Sequence, residues 1–181
     1  LVRLLPERVG SPISHKSISE DIEVSPIVIK HWLRTLEWLY FGIQLKPYHR
    51  KIHRAVKKEP KWYFFHWPYN PNPGTRFENF LAIQLYITCQ AWRDQGFGSW
   101  ELHYLRDQDH REVDFLITCN LKPIALIEAK HSSPEWTPSL NYYTQKLGIP
   151  GFLVTANGPT KRQPRGWSLN ASKFLSGLLL D

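Results

Sequence analysis

Two carboxylates and a lysine stand on two short apolar segments. Asp114 lies in Glu112-Val113-Asp114-Phe115-Leu116-Ile117, and Glu128 and Lys130 lie in Leu126-Ile127-Glu128-Ala129-Lys130. In an extended strand alternate side chains share a face, so Glu128 and Lys130 fall on one side, roughly 6–7 Å apart. The same alternation puts Glu112, Asp114 and Leu116 on one face of their strand and Val113, Phe115 and Ile117 on the other. Neighbouring strands are about 4.8 Å apart, so Asp114 and Glu128 converge if their strands pair in register. Two carboxylates and a backbone carbonyl, that of Ala129, suit a hard divalent cation such as Mg²⁺ or Mn²⁺ that keeps several waters. Phosphodiester cleavage uses such a site to activate water and to neutralise charge on phosphorus. Lys130 would orient that water or the phosphate. Ionisable groups on apolar strands are costly without a partner or a task. The alternative is an ion cluster in a fold that has outlived its chemistry.

Glu78 is a fourth candidate, as catalytic residue and metal ligand. It lies in the first turn of a helix expected over residues 75–92, on a stripe with Leu81, Ala82 and Leu85. Thr75-Arg76-Phe77-Glu78 also has the form of a capping box, in which Glu78 bonds back to the helix start. Both readings stand at this level.

These residues need elements to position them. After the 75–92 helix, strands are expected over 100–106, 112–118 and 124–130, joined by short turns as consecutive hairpins. A helix over 139–147, ended by Gly148 and Pro150, a strand over 152–155, a loop over 162–166 and a closing helix over 171–180 follow. The order is α-β-β-β-α-β. The stretch Trp67-Pro68-Tyr69-Asn70-Pro71-Asn72-Pro73-Gly74 cannot continue a helix or a central strand, and we read residues 67–74 as a linker.

Ahead of that linker, residues 1–9 have the pattern of a helix tail, and residues 17–22 that of a short helix. A second helix runs over 26–40, with Ser25 as N-cap and Pro26 at its first position. Strands are expected over 41–45 and 62–65. Helix, turn, helix and a strand pair joined by a basic loop is the plan of a winged helix. Lys30 and Arg34 on its second helix, and Arg50, Lys51, Arg54, Lys57 and Lys58 on its wing, are the candidate nucleic-acid contacts. The fold class is thus α+β or α/β, with a winged-helix domain at 1–66 and a restriction-endonuclease-like domain at 75–181.

The net charge of +7 is concentrated early. Residues 1–70 hold 12 Lys/Arg against 6 Asp/Glu, and residues 71–181 hold 11 against 10. A basic half of this kind suits DNA as a partner. The hydrophobic fraction of 42% supports a packed core, and no apolar run reaches the roughly 20 residues of a membrane span. Cys89 and Cys119 read as reduced core thiols of a cytoplasmic protein. The chain has no methionine, which is most simply a segment of a longer polypeptide.

The Asp114…Glu128-Ala129-Lys130 pattern resembles the PD-(D/E)xK nuclease superfamily, with Val113 where many members have proline. That resemblance implies a Mg²⁺-dependent endonuclease site. In junction-resolving members a glutamate on the preceding helix, the place of Glu78 here, completes the metal site. A closer resemblance spans nearly the whole chain, through Leu5-Pro6-Glu7-Arg8-Val9-Gly10-Ser11, residues 17–40, Tyr63-Phe64-Phe65, Arg76-Phe77-Glu78-Asn79, Arg111-Glu112-Val113-Asp114-Phe115 and Ile127-Glu128-Ala129-Lys130. These segments are similar to the uncharacterised C-terminal region that follows the AAA+ module in many bacterial and archaeal ATPases. The similarity implies a winged helix and a nuclease-like domain, with an AAA+ module as partner. His66 stands where that family has aspartate. No glycine here precedes Lys-Ser or Lys-Thr, so the chain holds no Walker A site for ATP. Two function classes follow: a DNA-binding Mg²⁺-dependent endonuclease module, or a non-catalytic DNA-binding, homo-oligomerisation or protein-interaction module.

Overall fold

A computed structural model describes residues 1–48, 59–132 and 135–178. It is a mixed α+β structure. A 3-10 turn at Leu5–Arg8, opened by Pro6, is followed by helices α1 (His15–Asp21) and α2 (Pro26–Trp38). Ser14 caps α1 by accepting the Ser17 N–H, and Ser25 caps α2 by accepting the Val28 N–H, with Pro26 as its first residue. Strands β1 (Gly42–Leu45) and β2 (Lys61–Phe64) pair antiparallel. The expected basic wing residues Arg50, Lys51, Arg54, Lys57 and Lys58 lie outside the described residues. The segment after the 3-10 turn runs along β2, where Gly10 N–H donates to Trp62 O and Ile13 N–H to Pro60 O.

The second part begins with α3 (Pro73–Asp94), two residues longer at each end than the apolar period predicts. Asn72 is its cap, accepting the Thr75 N–H at 3.1 Å. In a Thr75 capping box Glu78 would accept that N–H; with Asn72 accepting it, the start moves back and the box does not form. Strands β3 (Trp100–Arg106), β4 (Glu112–Cys119) and β5 (Lys122–Lys130) form consecutive antiparallel hairpins. Helix α4 (Pro138–Leu147), ended by Gly148 in the left-handed region, leads to β6 (Gly151–Thr155), parallel to β5.

Beyond β6 the expected loop over 162–166 is instead a hairpin, β7 (Lys161–Gln163) and β8 (Gly166–Asn170), with β8 parallel to β6. The sheet order is β3-β4-β5-β6-β8-β7. The edge strand β7 is three polar residues, which hides it from any apolar-period test but suits an exposed edge. Helix α5 (Ala171–Ser176) closes the described chain. No helix among the described residues is long and apolar enough to cross a membrane. Cys89 is buried and Cys119 half-buried, both as free thiols.

One apolar cluster runs through both parts, from Leu5, Ile29 and Trp62 to Leu81, Phe115 and Phe174. A second, smaller cluster under α4 holds Val113, Leu116, Leu126, Leu140 and Leu153. Two polar seams add to the first. The fully buried Asn79 side chain on α3 accepts the Phe64 N–H at 2.9 Å and donates to Phe64 O at 2.7 Å. Residues 46–48 also pair with the outer edge of β3, through Tyr48 N–H to Tyr104 O and Tyr104 N–H to Lys46 O.

The close approach of β6 and β8 depends on two glycines. Gly151 faces Gly166 in the ladder, and a methyl group on Gly166 would stand 1.8 Å from the Gly151 carbonyl oxygen. Gly166→Ala is therefore expected to destabilise the fold by about 3 kcal/mol. An unchanged thermal melting temperature would contradict this packing.

Candidate functional site

Lys61, at the head of β2, is the buried counter-charge of the site, although in the sequence it belongs only to a basic run. It is 1% exposed. Its ammonium pairs with Glu112 Oε1 at 2.5 Å and Glu78 Oε1 at 3.7 Å, and lies 5.3 Å above the Tyr104 ring. Burial alone would lower its pKa. The fields of Glu78, Asp114 and Glu112 outweigh that and raise it, so it stays charged. The only trace of this role in the sequence is a lysine leading an otherwise aromatic strand.

Glu78 does not bond back to the start of its helix. Its Oε1 accepts the Tyr63 hydroxyl at 2.7 Å, and Lys61 stands on the same oxygen. Gly10 makes room for it: a methyl group there would approach Glu78 Oε1 to 2.9 Å, and Gly10 has a φ of +73° that favours glycine. Burial, then the nearby Asp114, push the Glu78 carboxyl up to about 7. The Tyr63 phenol, fully buried against these carboxylates, is raised well above its ordinary value.

Asp114 is placed by an irregularity that strand alternation does not foresee. The β3–β4 register shifts between His103↔Leu116 and Leu105↔Val113, so Asp114 and Phe115 together stand opposite Tyr104. Such a bulge turns both residues toward one face. Accordingly Phe115 and Ile117 pack in the α3-side cluster with Tyr63, while Val113 packs with Leu116 under α4. This corrects the expected division, which grouped Val113 with Phe115 and Asp114 with Leu116. The bulge turns Asp114 toward Lys61 and Glu78 while its backbone stays beside β5.

On the other flank the last β4–β5 pair is Phe115↔Ile127, and the same register continued one step sets Asp114 opposite Glu128. Here the backbone ladder gives way to a side chain, with Ala129 N–H donating to Asp114 Oδ2 at 2.9 Å. Burial raises the Asp114 pKa, opposed first by Lys61 and then by the Ala129 N–H.

Ile127 and Ala129 belong to the α3-side cluster, so Glu128 and Lys130 leave the opposite side of β5, toward α4. There Thr137, the N-cap of α4, donates to Glu128 Oε2 at 2.6 Å while accepting the Leu140 N–H. Lys130 Nζ lies 3.1 Å from Glu128 Oε1. Burial, then Asp114, raise the Glu128 pKa. The Lys130 pKa is also raised, because the Glu128 charge outweighs its burial.

The four expected residues therefore interact electrostatically around Asp114 but do not share the one face that strand alternation predicts: the bulge turns Asp114 toward Glu78 and Lys61, while Glu128 and Lys130 leave β5 toward α4. Among the described residues no three His, Cys, Asp or Glu side chains form a ligating set in this geometry. The donor chemistry nevertheless fits a hard cation. Asp114, Glu128 and the carbonyl of Ala129 are all oxygen donors, and burial, then the Asp114 charge, raise the pKa of Glu78 and Glu128. Lys30 and Arg34 are exposed on α2, remote from this unit in the sequence and on another element.

Residues 1–66 match the family model of a domain of unknown function (DUF8612). No curated protein and no solved structure matches the chain.

Proposed function

We propose that this chain is a DNA-binding module with a metal-dependent phosphodiesterase site built on Asp114, Glu128 and Lys130. The observation that carries the reading is the β4–β5 pairing that sets Asp114 beside the Glu128-Ala129-Lys130 strand, with Ala129 N–H donating to Asp114 Oδ2. The adjoining β3–β4 bulge re-aims the Asp114 side chain, as bulges do beside active sites. Further support comes from the element order from α3 to β6, which is the α-β-β-β-α-β of restriction-endonuclease-like folds, with two antiparallel steps and then a parallel one. In the first part, α1, α2 and the β1–β2 pair follow the order of a winged helix, and α2 offers Lys30 and Arg34 for phosphate contacts.

Asp114, Glu128 and the Ala129 carbonyl would hold Mg²⁺ or Mn²⁺, which supplies an activated water and charge stabilisation at phosphorus. Lys130 is held charged beside Glu128, and would position the water or neutralise a phosphate oxygen. Glu78, with a pKa near neutrality, is suited to holding or releasing a proton. The AAA+ module implied by the resemblance would act in concert as a partner.

The test is cleavage of plasmid and branched DNA with Mg²⁺ or Mn²⁺. The chain should cut. Asp114→Asn, which keeps the acceptor for Ala129 N–H, and Lys130→Ala should each lose about 100-fold or more. Equal inertness of all three, or equal cutting, would sink the enzymatic reading. One observation favours the non-catalytic alternative: Lys61 and Lys130 already pair with the carboxylates. Inert protein that still binds DNA with a steep negative salt slope would fit that alternative.

A further inference from the structure

A recess of about 670 Å³ opens between α2, β1, the C-terminal half of α3 and the start of β3. It is separate from the carboxylate unit. Along α3, Glu78 and Tyr86 are eight residues apart, about 12 Å of helix rise, and only Tyr86 lines the recess. The volume lies within the range of small-molecule sites, about 300–1,000 Å³.

Three features of its lining point to one ligand chemistry. The first is unneutralised positive charge. Lys30, Arg34, Lys46 and Arg93 sit exposed around the recess, and none has a carboxylate within ion-pair distance among the described residues. The two acids in the lining bond to neutral neighbours in the same lining, leaving a net excess of positive charge. Glu37 accepts from Gln44 N–H and Nε2 at 2.9 and 3.0 Å, and Glu101 lies 3.4 Å from His103 Nε2.

The second is a pair of neutral imidazoles. His15 and His103 both line the recess; His15 Nε2 is buried without a hydrogen-bond partner, while His103 is held by Glu101 and by the Lys46 backbone. Burial lowers the pKa of both imidazoles against the pull of Glu59 on one and Glu101 on the other, so they are uncharged near neutral pH. A neutral imidazole calls for a hydroxyl, amide or ring-nitrogen partner, which a bare anion lacks. The third is an open aromatic surface. Trp38 is 64% exposed, with the Arg34 guanidinium 4.6 Å from its ring centre.

Phosphate for the cations, a hydroxylated sugar or base edge for the imidazoles and a flat ring for the indole occur together in a nucleotide. We propose that the recess binds a mononucleotide, with Arg34 and Lys46 on its phosphates, His15 and His103 on its polar edge and Trp38 on its base. Lys30, Arg34, Glu37 and Trp38 form one stripe of α2 at i, i+4, i+7 and i+8, and that stripe borders a recess walled by α3 and β3.

The test is calorimetric titration of the chain with ADP, adenosine and inorganic phosphate, each in EDTA so that no metal reaches Asp114 and Glu128. ADP should bind saturably at one site, more tightly than adenosine or phosphate. Arg34→Ala and Lys46→Ala should each weaken ADP by about tenfold or more. Both side chains are exposed, so their truncation leaves the core intact, and Lys146→Ala on α4 should bind as the parent does. The proposal is overturned by no saturable ADP binding, by Arg34→Ala and Lys46→Ala binding ADP as the parent does, or by phosphate binding as tightly as ADP. The cleavage assay above is decided independently of these outcomes.

Discussion

Lys61→Met is expected to lower the unfolding free energy by about 3–5 kcal/mol near pH 7.5, the usual loss when one partner of a buried ionic group is removed. Methionine keeps the apolar stem over Tyr104 and removes only the charge. What remains is Glu112, whose Oε1 loses a partner at 2.5 Å, Glu78, whose Oε1 loses one at 3.7 Å, and Asp114, whose strongest opposing charge is Lys61. Arg106 still reaches Glu112 Oε2 at 3.4 Å, so the deficit falls on Glu78 and Asp114. Both carry pKa values already raised by burial, so the cheapest relief is protonation. The penalty should therefore shrink toward about pH 5. Urea denaturation at both pH values measures it. A loss below about 1 kcal/mol near neutrality would mean that Lys61 behaves as a surface ion pair.

The second large effect is the pH dependence of the metal-free protein. Glu78 has a folded-state pKa of about 7 against an ordinary value of 4.5. A carboxyl raised in this way adds stability that is fully present below its unfolded value and lost as pH rises through its folded value. Unfolding free energy should accordingly fall between about pH 4.5 and pH 7, by up to about 3 kcal/mol for this group. Asp114 and Glu128 are raised as well and act with the same sign. Glu78→Gln keeps an acceptor for the Tyr63 hydroxyl and removes the titrating group. It should flatten the profile and leave the protein more stable than the parent at about pH 7.5. Denaturation in EDTA across this range gives the measurement. Stability that instead rises from pH 4.5 to 7 would show Glu78 ionised in the fold throughout.

The two experiments also bear on the proposed chemistry. Carboxylates that are hard to ionise in the free protein are the ones a divalent cation would stabilise in the charged form. A site poised in this way is expected to trade stability for binding, and its carboxylates should gain stability when neutralised near pH 7.5.

Much of this was legible in the sequence because it is local. The apolar period set α2 and α3, Ser25-Pro26 marked the start of α2, and Gly148 marked the end of α4. Two-residue alternation and short turns located β3, β4 and β5, and with them Asp114, Glu128 and Lys130 on adjacent strands. Strand β8 was not expected, although Trp167-Ser168-Leu169-Asn170 alternates apolar and polar residues; the polar β7 beside it gives no strand signal.

The tertiary structure decided what depends on distant partners. The bulge at Asp114 and Phe115 follows from how β4 meets Tyr104, a pairing that lies outside β4's own sequence. Glu78 faced two local options, and a contact fifteen residues back, the Tyr63 hydroxyl, settled it once Asn72 had taken the cap. Lys61 looked like one more cation in a basic run. It became the buried counter-charge because β2 packs on α3 and beside β4, where three carboxylates lower the cost of burying an ammonium. Local periodicity thus placed the candidate residues on their elements. Long-range packing and the electrostatics of a desolvated cluster determined which of them meet, on which face and in which protonation state.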